Sequence, residues 1–89
     1  MVKVKVRYLM HIREITQKWE EEVDLEDLTV RGLLRKVSNK YERFKEVVYD
    51  ADKDKTIGNI AIYVRKPGSI TNSANLDTRL TDGDVVVIW

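Results

Sequence analysis

The stretch that decides the fold is Leu76-Asp77-Thr78-Arg79-Leu80-Thr81-Asp82-Gly83-Asp84, followed by Val85-Val86-Val87-Ile88-Trp89. Its first part is polar and closes on Asp-Gly-Asp, a turn signal. Its last five residues are apolar on both faces. A strand without a polar side belongs in the middle of a sheet, or beneath a partner. The final strand is therefore expected beside the first one and parallel to it. A parallel neighbour requires a long crossover, which a helix supplies.

Working outward, the N-terminus fits that demand. Val2, Val4, Val6 and Tyr8 alternate with Lys3, Lys5 and Arg7, the period-two pattern of a half-buried strand. Met10–Thr16 breaks the alternation and reads as a turn region. Lys18–Leu25 resumes it, with Trp19, Glu21, Val23 and Leu25 on one side and Lys18, Glu20, Glu22 and Asp24 on the other. Thr29 is a helix N-cap candidate, because its hydroxyl can accept from a free backbone N–H. Val30, Leu33, Leu34, Val37 and Tyr41 then follow at helical spacing and make one apolar stripe. Phe44, Val47 and Val48 continue the apolar content, either as helix or as something extended. Asp50–Lys55 reads as a surface loop, Ile60–Val64 as a third strand, Pro67-Gly68 as a turn, and Ser69-Ile70 as a short return strand. Asn72–Asp77 reads as polar and irregular.

The order strand, strand, helix, strand, short strand, strand gives an α+β domain spanning 1–89. It is the β-grasp arrangement, a mixed four- to five-stranded sheet with one main helix packed across it. Val4, Val6, Val23, Ile60, Ile62, Val64, Val86 and Ile88 are expected to face the helix. The outer face then carries Lys3, Lys5, Arg7, Lys18, Glu20 and Glu22 as a charge ladder. Beside it lies an apolar patch of Ala61, Tyr63, Val85, Val87 and Trp89. An exposed apolar patch rimmed by charge has the composition of a docking surface.

Composition bounds the function. The chain has 89 residues, 35% of them charged, with a net charge of +1 and no cysteine. That balance argues against bulk electrostatic binding of nucleic acid, which needs many uncompensated cations. Without cysteine there is neither a disulfide nor a thiolate metal site. The alternating N-terminus is not a signal peptide, and no stretch approaches the roughly 18 apolar residues of a membrane span. These readings lead to the expectation of a soluble, cytoplasmic protein.

The residues capable of chemistry do not assemble into a site. His11 is the single histidine and has no cysteine partner, so neither a nucleophile–base pair nor a zinc site is expected. Glu20, Glu21 and Glu22 alternate between faces, so their carboxylates do not converge. They read as an acidic edge that discourages strand-to-strand aggregation. Asp50–Asp54 lacks the mid-loop glycine and closing glutamate of a calcium loop. The four glycines are isolated, not a phosphate-binding loop. Trp19 reads as a core-edge residue. Trp89 reads either as a plain strand end or as a docking aromatic.

Several segments resemble a known family. Val4–Tyr8, Ile12-Arg13-Glu14-Ile15-Thr16-Gln17-Lys18 and Glu21-Glu22-Val23 look like the first hairpin of molybdopterin-synthase small subunits. Thr29-Val30-Arg31-Gly32-Leu33-Leu34 is similar to the opening of their helix. Leu76–Asp84 with the terminal apolar strand is similar to their last loop and strand, and is the most specific of the pieces. The resemblance is to the MoaD/ThiS-like sulfur carriers, which are ubiquitin-like. It implies a non-catalytic carrier with no cofactor of its own. Its implied partners are a ubiquitin-activating-type adenylating enzyme and an acceptor such as the molybdopterin synthase large subunit. The family's chemistry resides in a C-terminal Gly-Gly tail that is adenylated and converted to a thiocarboxylate. The sequence departs from that pattern at Trp89, where the tail is absent, and at Arg65-Lys66-Pro67-Gly68, where relatives carry a tight Asn-Gly turn.

The resulting expectation is a sulfur-carrier-like protein that docks through Lys5, Arg7, Ala61, Tyr63, Val85, Val87 and Trp89. The competing expectation is a tailless interaction or regulatory module using the same surface without acyl chemistry. An RNA-binding reading would rest on Lys3, Lys5 and Arg7, but the carboxylates of the neighbouring strand balance them.

Overall fold

The structure is a computed structural model that describes residues 2–89. The first strand, β1 (Val2–Tyr8), buries Val4, Val6 and Tyr8 and exposes the three cations between them. Antiparallel to it runs β2 (Glu20–Leu25), in the register Val4↔Val23, Lys5↔Glu22 and Arg7↔Glu20. The connection corrects the sequence reading, because the expected turn region contains a short helix, α1 (His11–Thr16). Two positive-φ residues bracket it, Met10 (φ 57°) and Gln17 (φ 62°), and Ile12 and Thr16 point inward one turn apart. The Gln17 N–H closes the helix on the Arg13 carbonyl at 2.8 Å.

The crossover helix α2 (Val30–Lys40) forms where its apolar stripe requires. The Thr29 hydroxyl accepts from the Gly32 N–H at 3.2 Å and donates to Asp27 Oδ1 at 2.8 Å. The apolar residues beyond it form α3 (Phe44–Val47), with Phe44 and Val48 buried. The charged run after α3 is not a bare loop. Its ends pair as a small hairpin of β3 (Tyr49–Asp50) and β4 (Lys55–Thr56). Asp54 anchors the hairpin by accepting from Arg31 Nε (2.7 and 2.9 Å) and from the Tyr49 hydroxyl (2.5 Å).

The third strand of the main sheet, β5 (Ile62–Arg65), starts two residues later than the alternation suggested. Ile60 is consequently only partly buried, packed at the margin of the core. Lys66-Pro67-Gly68-Ser69 has the pattern of a type II turn, with proline second, Gly68 at φ 75° and the Ser69 N–H bonded to the Lys66 carbonyl at 3.0 Å. The return strand β6 is Thr71–Ser73, displaced from the expected Ser69-Ile70 into the stretch read as irregular.

Strand β7 (Val85–Ile88) runs parallel to β1 and antiparallel to β5, giving the order β2-β1-β7-β5-β6. The all-apolar terminal stretch is therefore the middle strand of five. Val86 and Ile88 are fully buried against the helix side, together with Leu33, Leu34, Phe44 and Tyr49. This is the β-grasp architecture. Among the described residues no helix is long and apolar enough to cross a membrane.

Candidate functional site

The sheet face away from α2 is built in cross-strand rows. One row reads Glu20, Arg7, Val87, Tyr63 and Ser73 from β2 to β6. The next reads Glu22, Lys5, Val85, Arg65 and Thr71. Residues of one row stand on one face because strand side chains alternate. The ladder continues past the named strands, since Ala61 and Trp89 exchange both backbone hydrogen bonds, at 2.7 and 3.0 Å. That pairing holds the Trp89 ring near Tyr63, with centroids 6.1 Å apart and planes tilted by 37°. Trp89 remains 43% exposed.

All seven residues singled out from sequence thus lie on or beside this one face. Ala61, Tyr63, Val85 and Val87 are half-buried, and Lys5 and Arg7 are exposed. The charge ladder between β1 and β2 is thinner than expected. Lys5 Nζ reaches Glu20 at 3.3 Å, diagonally, and not its row partner Glu22. Among the described residues Lys3 and Arg7 make no ion pair. Trp19 is not at the core edge. It is 63% exposed, and the Arg13 guanidinium lies 3.1 Å from its ring centroid.

The Asp-Gly-Asp loop fixes the start of the central strand. Gly83 adopts φ 88°, a conformation suited to glycine. The Gly83 N–H donates to the Lys3 carbonyl (3.0 Å), and the Lys3 N–H to Asp82 Oδ1 (2.9 Å). Asp84 is fully buried. Its carboxylate accepts from Lys66 Nζ (2.7 Å), the Thr81 N–H (2.9 Å) and the Thr81 hydroxyl (3.1 Å). A buried charge so satisfied staples the loop instead of straining it. At the far end of β7, the Leu9 N–H donates to the Ile88 carbonyl at 3.0 Å. The strand is thus held on both sides up to its last residues.

A second polar cluster lies on the helix side. Glu21 accepts from the hydroxyls of Tyr8 (2.7 Å) and Tyr41 (2.9 Å) and from Lys40 Nζ (2.5 Å). Burial by itself would raise the Glu21 carboxyl, but the bonds from Lys40, Tyr8 and Tyr41 outweigh it and hold its pKa below the ordinary value. The same arrangement pushes the Tyr8 hydroxyl up, through burial first and the Glu21 carboxylate second. The three consecutive glutamates point alternately out, in and out, and do not gather into a metal or acid–base site. Among the described residues no three histidine or acidic side chains converge as metal ligands.

Comparison with known proteins agrees with this geometry. No protein-family model matches the chain, and no curated protein is similar to it at a significant level. Solved structures are. A Pyrococcus furiosus structure assigned as molybdopterin converting factor subunit 1 is 34% identical over 99% of this chain and 95% of its own, with a TM-score of 0.77. Small archaeal modifier protein 1 from Methanosarcina acetivorans is 27% identical over 99% of this chain and 91% of its own, with a TM-score of 0.77. The protein of the same name from Haloferax volcanii is 18% identical over 98% and 92%, with a TM-score of 0.75, a likeness of fold alone. The fold and the 34% identity to the Pyrococcus protein over nearly the whole of both chains place the chain in the MoaD-like family of ubiquitin-like molybdopterin converting factor subunit 1 proteins.

Proposed function

We propose that the protein is a sulfur-carrier-type member of this family. In this reading it is not an enzyme, and it is worked on by a ubiquitin-activating-type adenylating enzyme. It then docks on an acceptor such as a molybdopterin synthase large subunit. The outer face is the docking surface, with Ala61, Tyr63, Val85, Val87 and Trp89 as its apolar centre and Lys5 and Arg7 on its rim. The setting is cytoplasmic. The observation that carries the reading is the position of β7, the middle strand, clamped on both flanks to Ile88 and Trp89. A reactive segment continuing from Trp89 would start from a fixed point beside an exposed apolar patch. Glycines suit such a segment, because without a Cβ they can thread a narrow channel.

Two measurements test this. Intact mass of the native gene product should exceed that of a chain ending at Trp89 by a short tail ending in Gly-Gly. ATP–pyrophosphate exchange should appear when that product meets the adenylating enzyme of its own genome. A native product ending at Trp89 and silent in exchange would instead establish an interaction module that uses the same face without acyl chemistry.

A further inference from the structure

The main sheet ends on two edges, β2 and β6, and they are not alike. The Tyr8 N–H donates to the Trp19 carbonyl, so alternate residues of β2 bond to β1, while Glu20, Glu22 and Asp24 turn their backbone groups outward. All three carry a carboxylate, and Lys36 Nζ from α2 caps the Asp24 carbonyl. Charge on an edge strand is a barrier to further pairing. The β6 edge has no such barrier. Pro67–Leu76, which contains it, is the longest stretch of the chain without a charged residue. The Ala74 N–H donates to the Ile62 carbonyl at 2.9 Å, so Asn72 and Ala74 bond toward β5, while Thr71 and Ser73 turn their N–H and C=O groups to the outside. Among the described residues nothing bonds them on that side. The strand is exposed throughout, and Ile70, the extra residue between the turn at 66–69 and the ladder, is 77% exposed.

From this edge we infer that β6 pairs antiparallel with β6 of a second copy of the chain, about a two-fold axis through Asn72. In that register the edge is self-complementary. Thr71 of each copy lies opposite Ser73 of the other, so every outward N–H and C=O finds a partner. The same pairing sets a threonine beside a serine on the outer face, a favourable cross-strand pair. The axis also brings each exposed Ile70 beside the other copy's half-buried Ala74. Electrostatics permits the contact. Arg65 is the single charged residue on β5, β6 and β7. Its two copies stand three strand spacings apart, about 14 Å, beyond the ~8 Å screening length of physiological salt. At the neighbouring turns, Lys66 and Asp77 are already paired with Asp84 and Arg31. A second copy is favoured as the occupant because one register satisfies all the edge groups, covers both Ile70 side chains and opposes no like charges. The joint is small, so the dimer is weak, with a Kd on the order of 1 mM. The two five-stranded sheets then run on as one, and both outer faces stay open. The inference goes beyond the carrier reading and does not rest on it.

Cross-linking tests the register, because the chain has no cysteine of its own. Across the axis the two copies of residue 72 form a non-hydrogen-bonded pair with Cα atoms about 4.5 Å apart, within disulfide range. In the full chain under mild oxidation, Asn72→Cys should form a disulfide dimer at least about tenfold faster than Glu22→Cys on the charged edge, because pairing raises the local thiol concentration. Equal rates overturn the inference. Sedimentation equilibrium of the full chain up to about 1 mM is a second arm that needs no cysteine. The wild type should self-associate. Asn72→Lys and Asn72→Asp should each be monomeric, since the axis sets like charges face to face, and a mixture of the two should associate again. Residue 72 is exposed, so each variant should keep the fold, which urea denaturation checks. A monomeric wild type, or a mixture as monomeric as its components, overturns the inference.

Discussion

Gly32 sits in the first turn of α2, where helix propensity and packing predict opposite outcomes for alanine. Propensity alone favours Gly32→Ala by roughly 1 kcal/mol, since glycine in a helix costs that much in backbone entropy. The structure reverses the sign. A Cβ on residue 32 would lie 2.5 Å from Asp27 Cβ, 2.6 Å from Asp27 Cγ and 2.6 Å from the Asp27 carbonyl oxygen. Ordinary carbon contacts begin near ~3.5 Å, so the 26–28 loop must retreat by about 1 Å. It cannot retreat freely, because Asp27 Oδ1 accepts from both the N–H (3.2 Å) and the hydroxyl (2.8 Å) of the N-cap Thr29. Overpacking of this kind costs about 1–3 kcal/mol, and three simultaneous overlaps argue for the upper end. The net expectation is a loss of about 2 kcal/mol, or a Tm lower by about 8–16 °C for a domain of this size. Urea denaturation at neutral pH measures it, with an unchanged m-value as the sign that the folded state is the same. Removing the Asp27 side chain in D27G/G32A should restore only part of the loss, because the carbonyl overlap remains. A G32A protein as stable as the wild type, or more so, would refute the packing argument and with it the reason for glycine here.

Three further outcomes follow from the polar clusters and the exposed aromatics. Glu21 has a lowered pKa in the fold, so the stability it contributes is complete above its unfolded value of about 4.3 and is lost as pH falls through the folded value. Glu21→Gln should therefore cost about 1.5–3 kcal/mol at pH 7, and the gap to the wild type should close below about pH 4 in an acid-unfolding series. Asp84→Ala leaves the Thr81 N–H without its acceptor and frees Lys66. It should cost about 1–3 kcal/mol in urea and speed hydrogen exchange of the amides at 81–85, and a neutral result would mean the loop is held by its backbone bonds alone. Trp19→Ala should cost less than about 1 kcal/mol in the same urea series, because the ring is exposed and the substitution removes little besides its stacking on Arg13. A larger cost would return Trp19 to the core.

The parts legible in the sequence are those where one physical pattern runs long enough to be unambiguous. Alternation over Val2–Tyr8, the helical stripe from Val30 to Tyr41 and the unbroken apolar run at the end each fix an element and a face. Together they fix the central place of β7. Short elements were illegible for a physical reason. The six residues of α1 hold barely more than one turn, and its start at Met10 has no side-chain cap to announce it. The start of β5 differs by two residues because Ile60 and Ala61 continue the apolar run, and of these only Ala61 joins the ladder, through Trp89. Alternation from Leu25 assigns Trp19 an inward face, yet although its carbonyl still accepts from the Tyr8 N–H at 2.8 Å, its ring is exposed and stacks against Arg13. The outer patch was legible residue by residue, whereas Arg65 was hidden in a segment read only as a turn. Its place on that face depends on which strand lies next to β5.

The central placement of β7 also bears on the carrier function proposed above, because it decides how firmly that strand is held. A terminal strand at a sheet margin is held by one ladder, and a pull on its end would peel it away one hydrogen bond at a time. Strand β7 is held by two. The Ile88 carbonyl is bound by Leu9 on one flank, and Trp89 exchanges both backbone bonds with Ala61 on the other. Val86 and Ile88 are meanwhile buried completely on the helix side. Releasing the end therefore requires breaking both ladders and exposing two aliphatic side chains, each worth about 1.5–3 kcal/mol. That is a large part of the ~5–15 kcal/mol that stabilises a typical domain. Release of β7 up to Ile88 is thus coupled to unfolding of the sheet, whereas Trp89 is held through Ala61 alone. In the proposed docking, a partner seated on Val85, Val87 and Trp89 would meet a strand already fixed in place, and would pay little ordering entropy on contact.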